Sequence, residues 1–311
     1  KSCVVVYNPK SGKQRKSEFF DEIKKTLQEY GYFSTIISTK YQGHATEIVE
    51  EVGHVDLLIS IGGDGTFNEI MTGNFHRKER LLLAHIPLGT TNDIGSMYGY
   101  GKSILGNLRL VLEGTVKKVD ICLLNNHPFV YVAGLGKFLS ISYDTPSDLK
   151  KKFGYLAYLI AGLKEFGGKT KTYDVEYEVN GEIHCEKCSF LLISNANRIA
   201  GIDDFYKSVK LDDNAFEVLL CGLTSKADIV RSLYLLTTKD ITKVPGFKFY
   251  KTSSFKIKFS ELPIKSWCID GEKFESDSLE YNISIERGIS LLIPNKNISK
   301  FYFFFKWFDR R

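Results

Sequence analysis

The sequence contains no apolar run that approaches the ~20 residues of a membrane-spanning helix. It also shows no signal peptide, no internal repeat and no low-complexity linker. Basic residues are not gathered into runs, and the net charge is only +5, which argues against a dedicated nucleic-acid-binding protein. These absences predict a globular cytoplasmic protein that has no nucleic-acid partner.

Cysteine is sparse and scattered. Six cysteines in 311 residues do not form a disulfide framework, which favours a reducing compartment. Cys185 and Cys188 have the spacing of a zinc knuckle, but a structural zinc site needs a second ligand pair, and His184 alone is weak support. Alternation along a strand is the simpler interpretation of this pair.

The first third of the sequence alternates strand and helix patterns. Apolar runs predict strands over 4–7, 33–38, 55–61 and 81–86. Apolar residues at helical spacing predict helices over 20–30, 45–52, 66–72 and 104–112. This alternation predicts a parallel sheet flanked by helices, an architecture that binds ligands beyond the carboxyl ends of its strands.

The pattern changes near residue 120. Hairpins are expected over 120–133 and 173–193, with further short strands at 218–221, 255–259, 266–269 and 281–285. Helical stretches interrupt them at 153–165 and 227–236. We therefore predict the α/β fold class with two domains, an α/β domain at 1–119 and a β-rich, antiparallel, sandwich-like domain at 120–291. Residues 292–311 are expected to pack back on the first domain.

The last twelve residues, 300–311, combine seven aromatic with four basic side chains. Such a segment suits an interfacial membrane anchor, because aromatic rings and basic groups both favour the headgroup region. The alternative is that these rings fill the core of the first domain, since so many exposed aromatics would promote aggregation.

The most informative motif is Gly-Gly-Asp-Gly-Thr at 62–66, directly after a predicted buried strand. Glycines allow close approach of the backbone to a phosphate, and the start of the following helix presents free N–H groups. A carboxylate, Asp64, is unusual in an anion-binding turn unless a metal ion or a substrate proton interacts with it. The motif therefore predicts a nucleoside triphosphate site, which Phe67, Asn68 and Glu69 extend.

Two other loops follow predicted strands of the same sheet. Residues 8–13, Asn-Pro-Lys-Ser-Gly-Lys, suit phosphate contact but lack the first glycine of a phosphate loop, so a plain surface turn explains them equally well. Residues 87–93 repeat the mixture of glycine, hydroxyl and carboxylate, although Asp93 could simply cap a helix. Far along the chain, Asp270-Gly271-Glu272 reads most simply as a β-turn.

Taken together and in order, these motifs resemble the diacylglycerol-kinase catalytic-domain family, which includes bacterial and eukaryotic lipid kinases. The matching segments are 8–13, Thr39 with Gly43-His44-Ala45, 62–69, 87–93, 152–158, 209–213 and 270–272. They span almost the whole chain. Gly-Gly-Asp-Gly-Thr alone also occurs in NAD kinases, whereas its pairing with Pro-Leu-Gly-Thr-x-Asn-Asp is more specific to lipid kinases.

The resemblance implies a nucleotide-binding domain at 1–119, a lipid-binding domain at 120–291 and an active site between them. ATP would be bound by Asn8, Pro9, Lys10, Ser11, Gly12, Thr39, Gly62, Gly63, Asp64, Gly65, Thr66, Phe67, Asn68, Thr90, Asn92 and Asp93. Lys13 would approach its phosphates, and Asp64 would organise catalytic Mg²⁺ or the nucleotide. Either Asp270 or Glu272 would accept the proton of the lipid hydroxyl.

The resemblance also implies a separate structural Mg²⁺ site at Lys210, Asp213 and Ala215. Asp213 would contribute its side chain and the other two residues their carbonyl groups, a donor set that suits Mg²⁺. Asn214 replaces the glycine usual at this turn, and asparagine tolerates positive φ next best.

We therefore expect an ATP-dependent lipid kinase that converts diacylglycerol to phosphatidic acid and visits an anionic membrane surface peripherally, with a homodimer as one possible assembly. Another lipid acceptor, such as a sphingoid base, a phosphatidylglycerol-like lipid or a polyprenol, would fit the same motifs. An NAD kinase and a non-catalytic lipid-binding member of the family are the alternatives.

Overall fold

The computed structural model describes residues 1–12, 15–89, 92–136, 172–199, 206, 209–222, 245–263 and 266–303. The helices expected at 153–165 and 227–236 lie outside the described residues, as do Lys13, Thr90, the segment 152–158 and the end of the aromatic tail at 304–311. Among the described residues, no helix combines the length and the apolar character that crossing a membrane requires.

The N-terminal part alternates strands and helices, as the sequence predicts. Its elements are β1 (Ser2–Tyr7), α1 (Ser17–Glu29), β2 (Phe33–Ser38), α2 (His44–Glu51), β3 (Leu57–Gly62), α3 (Asp64–His76), β4 (Leu83–Pro87), α4 (Asp93–Met97) and α5 (Ile104–Leu112). β1 pairs in parallel with β2 and β3, and β3 pairs in parallel with β4. Every residue of β3 is buried, as expected for a strand covered by helices on both faces.

The remainder of the described chain is mainly strand. Its elements are β5 (Thr115–Leu124), β6 (His127–Phe129), β7 (Val132–Gly136), β8 (Tyr173–Val179), β9 (Glu182–Cys188), β10 (Phe190–Ser194), β11 (Phe216–Cys221), β12 (Phe247–Thr252), β13 (Phe255–Phe259), β14 (Trp267–Ile269), β15 (Glu272–Phe274), β16 (Glu280–Ile293) and α6 (Ile298–Phe301). The mixed architecture confirms the predicted α/β fold class.

Two sheets organise the described strands. One has the order β2-β1-β3-β4-β16-β13-β8-β9, with β5 paired to β16 and β6 paired to β5, and the other has the antiparallel order β12-β11-β10-β7-β14-β15. The long strand β16 joins the parallel and antiparallel parts, because Leu291 pairs with Leu83 of β4 while residues 283–293 pair with β5. An apolar core that includes Phe129, Leu191 and Phe255 packs the two sheets face to face.

Two predicted hairpins are only partly right. The segment predicted as one strand over 182–193 is two strands, because the chain leaves β9 at Cys188 and enters the other sheet as β10. The segment 120–133 turns into β6 after Leu124, but β7 then pairs with β10 and β14. Continuous apolar runs, 190–193 and 129–133, follow the two crossings, so the sequence pattern does not reveal the change of sheet.

The zinc-knuckle spacing at Cys185 and Cys188 forms no metal site. Cys185 is exposed on β9, whereas Cys188 is buried, with its Sγ 3.3 Å from the Phe190 carbonyl oxygen. Within the described part of the chain, no group of three or more His, Cys, Asp or Glu side chains could hold a metal ion. Alternation along the strand explains the pair.

The two-domain division stays a prediction. β5 runs through its boundary, and β16 makes one sheet continuous across both parts. The C-terminal segment contacts the N-terminal part through Asn297, which donates to the Met97 carbonyl, and through the Tyr302 hydroxyl, 3.0 Å from that of Tyr98.

Candidate active site

The carboxyl ends of β1 and β3 carry two loops that are held together by side-chain hydrogen bonds. The Asn8 Nδ2 donates to the Thr66 Oγ1 at 2.8 Å, and the Gly63 N–H donates to the Ser11 Oγ at 3.3 Å. The Asn8 Oδ1 also accepts from the Lys10 N–H. Asn8 and Ser11 therefore attach the first loop to the glycine-rich turn, as neighbouring parallel strands would predict.

Glycine is required in this turn because backbones approach closely. A Cβ on Gly62 would lie 2.6 Å from the Thr66 Cβ, and a Cβ on Gly89 would lie 2.8 Å from the Gly63 Cα. The turn leads directly into α3, whose first residues, Asp64, Gly65 and Thr66, begin a 13-residue helix. Its N-terminus is suited to phosphate oxygens, because free N–H groups and the helix dipole act there together.

A cavity of about 520 Å³ opens at this helix terminus. Of the predicted site residues, it is lined by Asn8, Lys10, Ser11, Thr39, Gly63, Gly65, Thr66, Asn68, Glu69 and Glu272. The wall also includes residues that the sequence did not single out: Lys40, Tyr41 and Gln42 from the segment before α2, His127 of β6, and Lys273 and Phe274 of β15. The strand-end loops therefore share one cavity with a hairpin some 200 residues away in the sequence.

That hairpin is formed by β14 and β15, joined by Asp270 and Gly271. Both turn residues have positive φ, 47° and 89°, as the tight two-residue turn of a hairpin requires. Ile269 pairs with Glu272 across the turn. The β-turn interpretation of Asp-Gly is therefore correct, and the turn places the exposed Glu272 side chain at the cavity.

Glu272 lies directly against the glycine-rich turn. A Cβ built on Gly65 would be 3.0 Å from the Glu272 Oε1. Glycine at 65 therefore leaves room for this carboxylate beside the N-terminus of α3.

Asp270, by contrast, is buried behind the cavity and accepts four hydrogen bonds. Its Oδ2 accepts from the Val130 N–H and the Asn68 Nδ2, both at 2.7 Å. Its Oδ1 accepts from the Tyr131 N–H at 3.0 Å and the Val132 N–H at 2.9 Å. Burial raises the pKa of this carboxyl, and the donors oppose that shift by stabilising its charged form. These contacts tie the hairpin to β7 and to α3.

Asp64 is likewise buried rather than in the cavity wall. Its Oδ2 accepts from the Asp93 N–H at 2.9 Å and its Oδ1 from the Ile94 N–H at 3.3 Å, so it caps the start of α4. Burial, reinforced by the neighbouring Asp93 carboxylate, raises the pKa of Asp64 to about 7. Asp93 in turn accepts from the Arg198 Nε at 3.0 Å.

Several other predicted nucleotide-binding residues support the loops from outside the cavity wall. The Phe67 ring is buried and stacks on His85, 4.6 Å between centroids, so only its backbone faces the turn. Asn92 has a positive φ of 48° and closes its own loop by bonding Gly89. Pro9, Gly12 and Gly62 shape the loops without lining the cavity.

The predicted structural Mg²⁺ site lies away from this cavity, and its carboxylate is already engaged. The Asp213 Oδ2 is 2.7 Å from the Lys251 Nζ, and its Oδ1 accepts from the Ala215 N–H at 3.1 Å. The Lys210 ammonium bonds the Ser299 and Lys300 carbonyls. A cation at Asp213 would compete with Lys251 for this carboxylate, the Mg²⁺ site stays a prediction, and we assign no step of the reaction to it.

The comparisons with known proteins agree with the fold and with the motifs. Residues 2–124 match the family model of the diacylglycerol kinase catalytic domain. Diacylglycerol kinases from Staphylococcus aureus strains MRSA252 and Newman are each 32% identical over 305 residues, covering 96% of this chain and 95% of the relative. A crystal structure of a diacylglycerol kinase from Bacillus anthracis strain Sterne superposes with a TM-score of 0.73 at 22% identity, covering 94% of this chain and 97% of that one.

The structural likeness shows the shared fold, and the sequence relatives show the family. The chain belongs to the diacylglycerol kinase family, which confirms the resemblance drawn from its motifs.

Proposed function

We propose that this protein is an ATP-dependent lipid kinase that transfers the γ-phosphoryl group of ATP to the hydroxyl of diacylglycerol, giving phosphatidic acid. One observation carries the proposal: the Glu272 carboxylate and the N-terminus of α3 face the same cavity. Phosphoryl transfer to an alcohol requires a phosphate-binding site and, beside it, a carboxylate that accepts the hydroxyl proton. The names of the relatives support diacylglycerol as the acceptor.

The cavity wall suits a nucleotide that brings its own metal ion. Backbone N–H groups at the start of α3, the Ser11 hydroxyl and the Lys10 side chain are available to the triphosphate. Mg²⁺ commonly binds through substrate phosphates and retained waters, so it needs few protein ligands. When bound, it would neutralise the charge that develops on the γ-phosphoryl oxygens.

We assign the general base to Glu272. The base must reach the acceptor hydroxyl, and Glu272 is exposed at the cavity beside Gly65. Both oxygens of Asp270 are engaged by four donors, which supports a role in holding the hairpin. As the acceptor oxygen bonds to the γ-phosphorus and ADP leaves, Glu272 takes the hydroxyl proton.

Asp64 and Asp93 would support the nucleotide site from positions outside the cavity wall. Asp64 orients the turn at the start of α3 by binding the first N–H groups of α4. Since its pKa is about 7, its charge changes with pH near neutrality. We therefore assign Asp64 to organising the nucleotide loops.

The substrate lies in a bilayer, so the proposal includes peripheral contact with an anionic membrane surface. The supporting feature is a basic and aromatic patch, which we define as Lys117, Lys118, Lys210, Arg287 and Phe303; the carboxylates of Asp120 and Asp212 lie in the same surface pocket. Phe303 is 50% exposed, and the Lys210 Nζ lies 5.6 Å from the centre of its ring. Aromatic rings and basic groups favour the headgroup region.

The test is an acceptor panel with ATP labelled at the γ-phosphate and Mg²⁺. Diacylglycerol in mixed micelles with an anionic phospholipid, a sphingoid base, a polyprenol and NAD are offered separately, and the labelled products are identified by mass spectrometry. We expect labelled phosphatidic acid as the main product. Preferential labelling of NAD would refute the lipid-kinase assignment, and absence of any labelled product would refute catalysis.

A further inference from the structure

We propose that Glu69 is a positioning residue for the nucleotide: its carboxylate fixes the segment 39–43, which forms the wall for the nucleobase. The inference rests on the proposed function in one respect, that ATP occupies the cavity. It concerns a side chain that the transfer reaction itself does not use.

Glu69 lies on α3, five residues after Asp64, and its side chain reaches across to α2. Its Oε1 accepts from the Gly43 N–H at 2.9 Å, and its Oε2 accepts from the Ala45 N–H at 3.2 Å. Its own carbonyl accepts from the Thr46 Oγ1 at 2.9 Å. Three contacts therefore join one residue of α3 to the start of α2.

These contacts replace a local helix cap. The residue before α2 is Gly43, in the left-handed region at φ 88°, and it has no side-chain oxygen with which to cap the helix. The Glu69 carboxylate satisfies N–H groups at this terminus, where negative charge is also favoured by the helix dipole. Both of its oxygens have backbone donors, which distinguishes Glu69 from a general base or a metal ligand.

The segment before α2 is consequently held at both ends. The Thr39 N–H donates to the Tyr7 carbonyl at 2.8 Å, which fixes its beginning to β1. Glu69 fixes its end at Gly43. Between these points, Thr39, Lys40, Tyr41 and Gln42 line the cavity.

We assign the segment 39–43 to the nucleobase because of its position relative to the glycine-rich turn. The acceptor belongs beside Gly65 and Glu272, and the triphosphate belongs at the N-terminus of α3, so the nucleoside must extend away from Glu272. The Tyr41 ring offers it an apolar face, held by the hydrogen bond from its hydroxyl to the Glu47 Oε2 at 2.5 Å. α3 therefore carries both the glycine-rich turn and the carboxylate that fixes the segment 39–43.

Glu69→Gln tests this role, since glutamine keeps one acceptor oxygen but turns an amide N–H₂ toward the other backbone donor. The dissociation constant for the non-hydrolysable analogue adenylyl imidodiphosphate is measured by calorimetry without lipid. Without one of its charge-assisted bonds the segment 39–43 is held less firmly, so the affinity for the nucleotide analogue should fall about tenfold. At saturating ATP, kcat should stay within about threefold, and the KM for the lipid should not change.

Glu50→Gln, an exposed position on α2 that pairs with His76, is the matched control and should bind the analogue as the wild type does. Glu69→Asp, which keeps the charge on a shorter side chain, should bind with intermediate affinity and provides a second variant if Glu69→Gln does not fold. Unchanged affinity in folded Glu69 variants, even with lowered thermal stability, would overturn the positioning role alone. Failure of the wild type to bind the analogue would instead overturn the proposed function.

Discussion

Replacing Asp270 by asparagine should destabilise the protein, although the neighbouring Glu272 is the residue we assign to the chemistry. Each Asp270 oxygen accepts two hydrogen bonds. Whichever oxygen the asparagine N–H₂ replaces, two donors therefore lose their acceptor. A buried donor left unpaired costs about 1–3 kcal/mol, so two such donors should lower the free energy of unfolding by about 2–6 kcal/mol.

Urea and thermal unfolding, followed by circular dichroism and by fluorescence, measure this loss. For a chain of this size it corresponds to a Tm lower by about 3–9 °C. Asp277→Asn, an exposed carboxylate on the same segment, is the control and should change stability by no more than about 0.5 kcal/mol. If Asp270→Asn were as stable as the wild type yet inactive, Asp270 would act on the reacting atoms and our assignment would be refuted.

Three further predictions follow from other parts of the structure. Gly65→Ala should leave stability unchanged or slightly raised but lower kcat at least about tenfold, because its Cβ would displace the Glu272 carboxylate; kcat equal to the wild type would contradict this. Burial lowers the pKa of His85 to about 3 from an unfolded value of 6.5, so stability is present above pH 6.5 and is lost as pH falls toward 3. By pH 5 the free energy of unfolding should be lower by about 2 kcal/mol. Denaturant titrations of His85→Gln at several pH values should lack this loss. The same pH dependence in the variant and the wild type would refute the assignment to His85. Phe303→Ser should weaken sedimentation with phosphatidylglycerol vesicles but not transfer to a short-chain diacylglycerol, and unchanged vesicle binding would exclude this patch.

The sequence predicted the N-terminal half of the fold well, because its strands and helices carry strong and different periodicities. Ile23 and Leu27 lie at helical spacing and are buried on α1, and β3 is a mainly apolar strand that is buried along its whole length. β16 was predicted only over 281–285 but extends through Ile293. Its register shift between Glu286 and Ile289 interrupts the alternation, so periodicity alone ends the strand early.

The meeting of the strand-end loops was predictable because each follows a strand of one parallel sheet. The distinct roles of Asp270 and Glu272 were not, since both lie in one short turn of the sequence. Only the three-dimensional structure shows four donors around the first and the cavity beside the second. The contribution of Tyr41 and His127 to the cavity depends likewise on packing between distant segments, for which a single sequence carries no signal.

The most direct test of the central claim is phosphoryl transfer to diacylglycerol by Glu272→Gln, measured together with nucleotide affinity. Our account predicts labelled phosphatidic acid from the wild type, a kcat lower by ~10²–10⁴ in the variant, and equal affinity for adenylyl imidodiphosphate in both. Glu182→Gln, on the exposed edge strand β9, should behave as the wild type. Transfer at the wild-type rate by Glu272→Gln would contradict the assignment of Glu272 as the base.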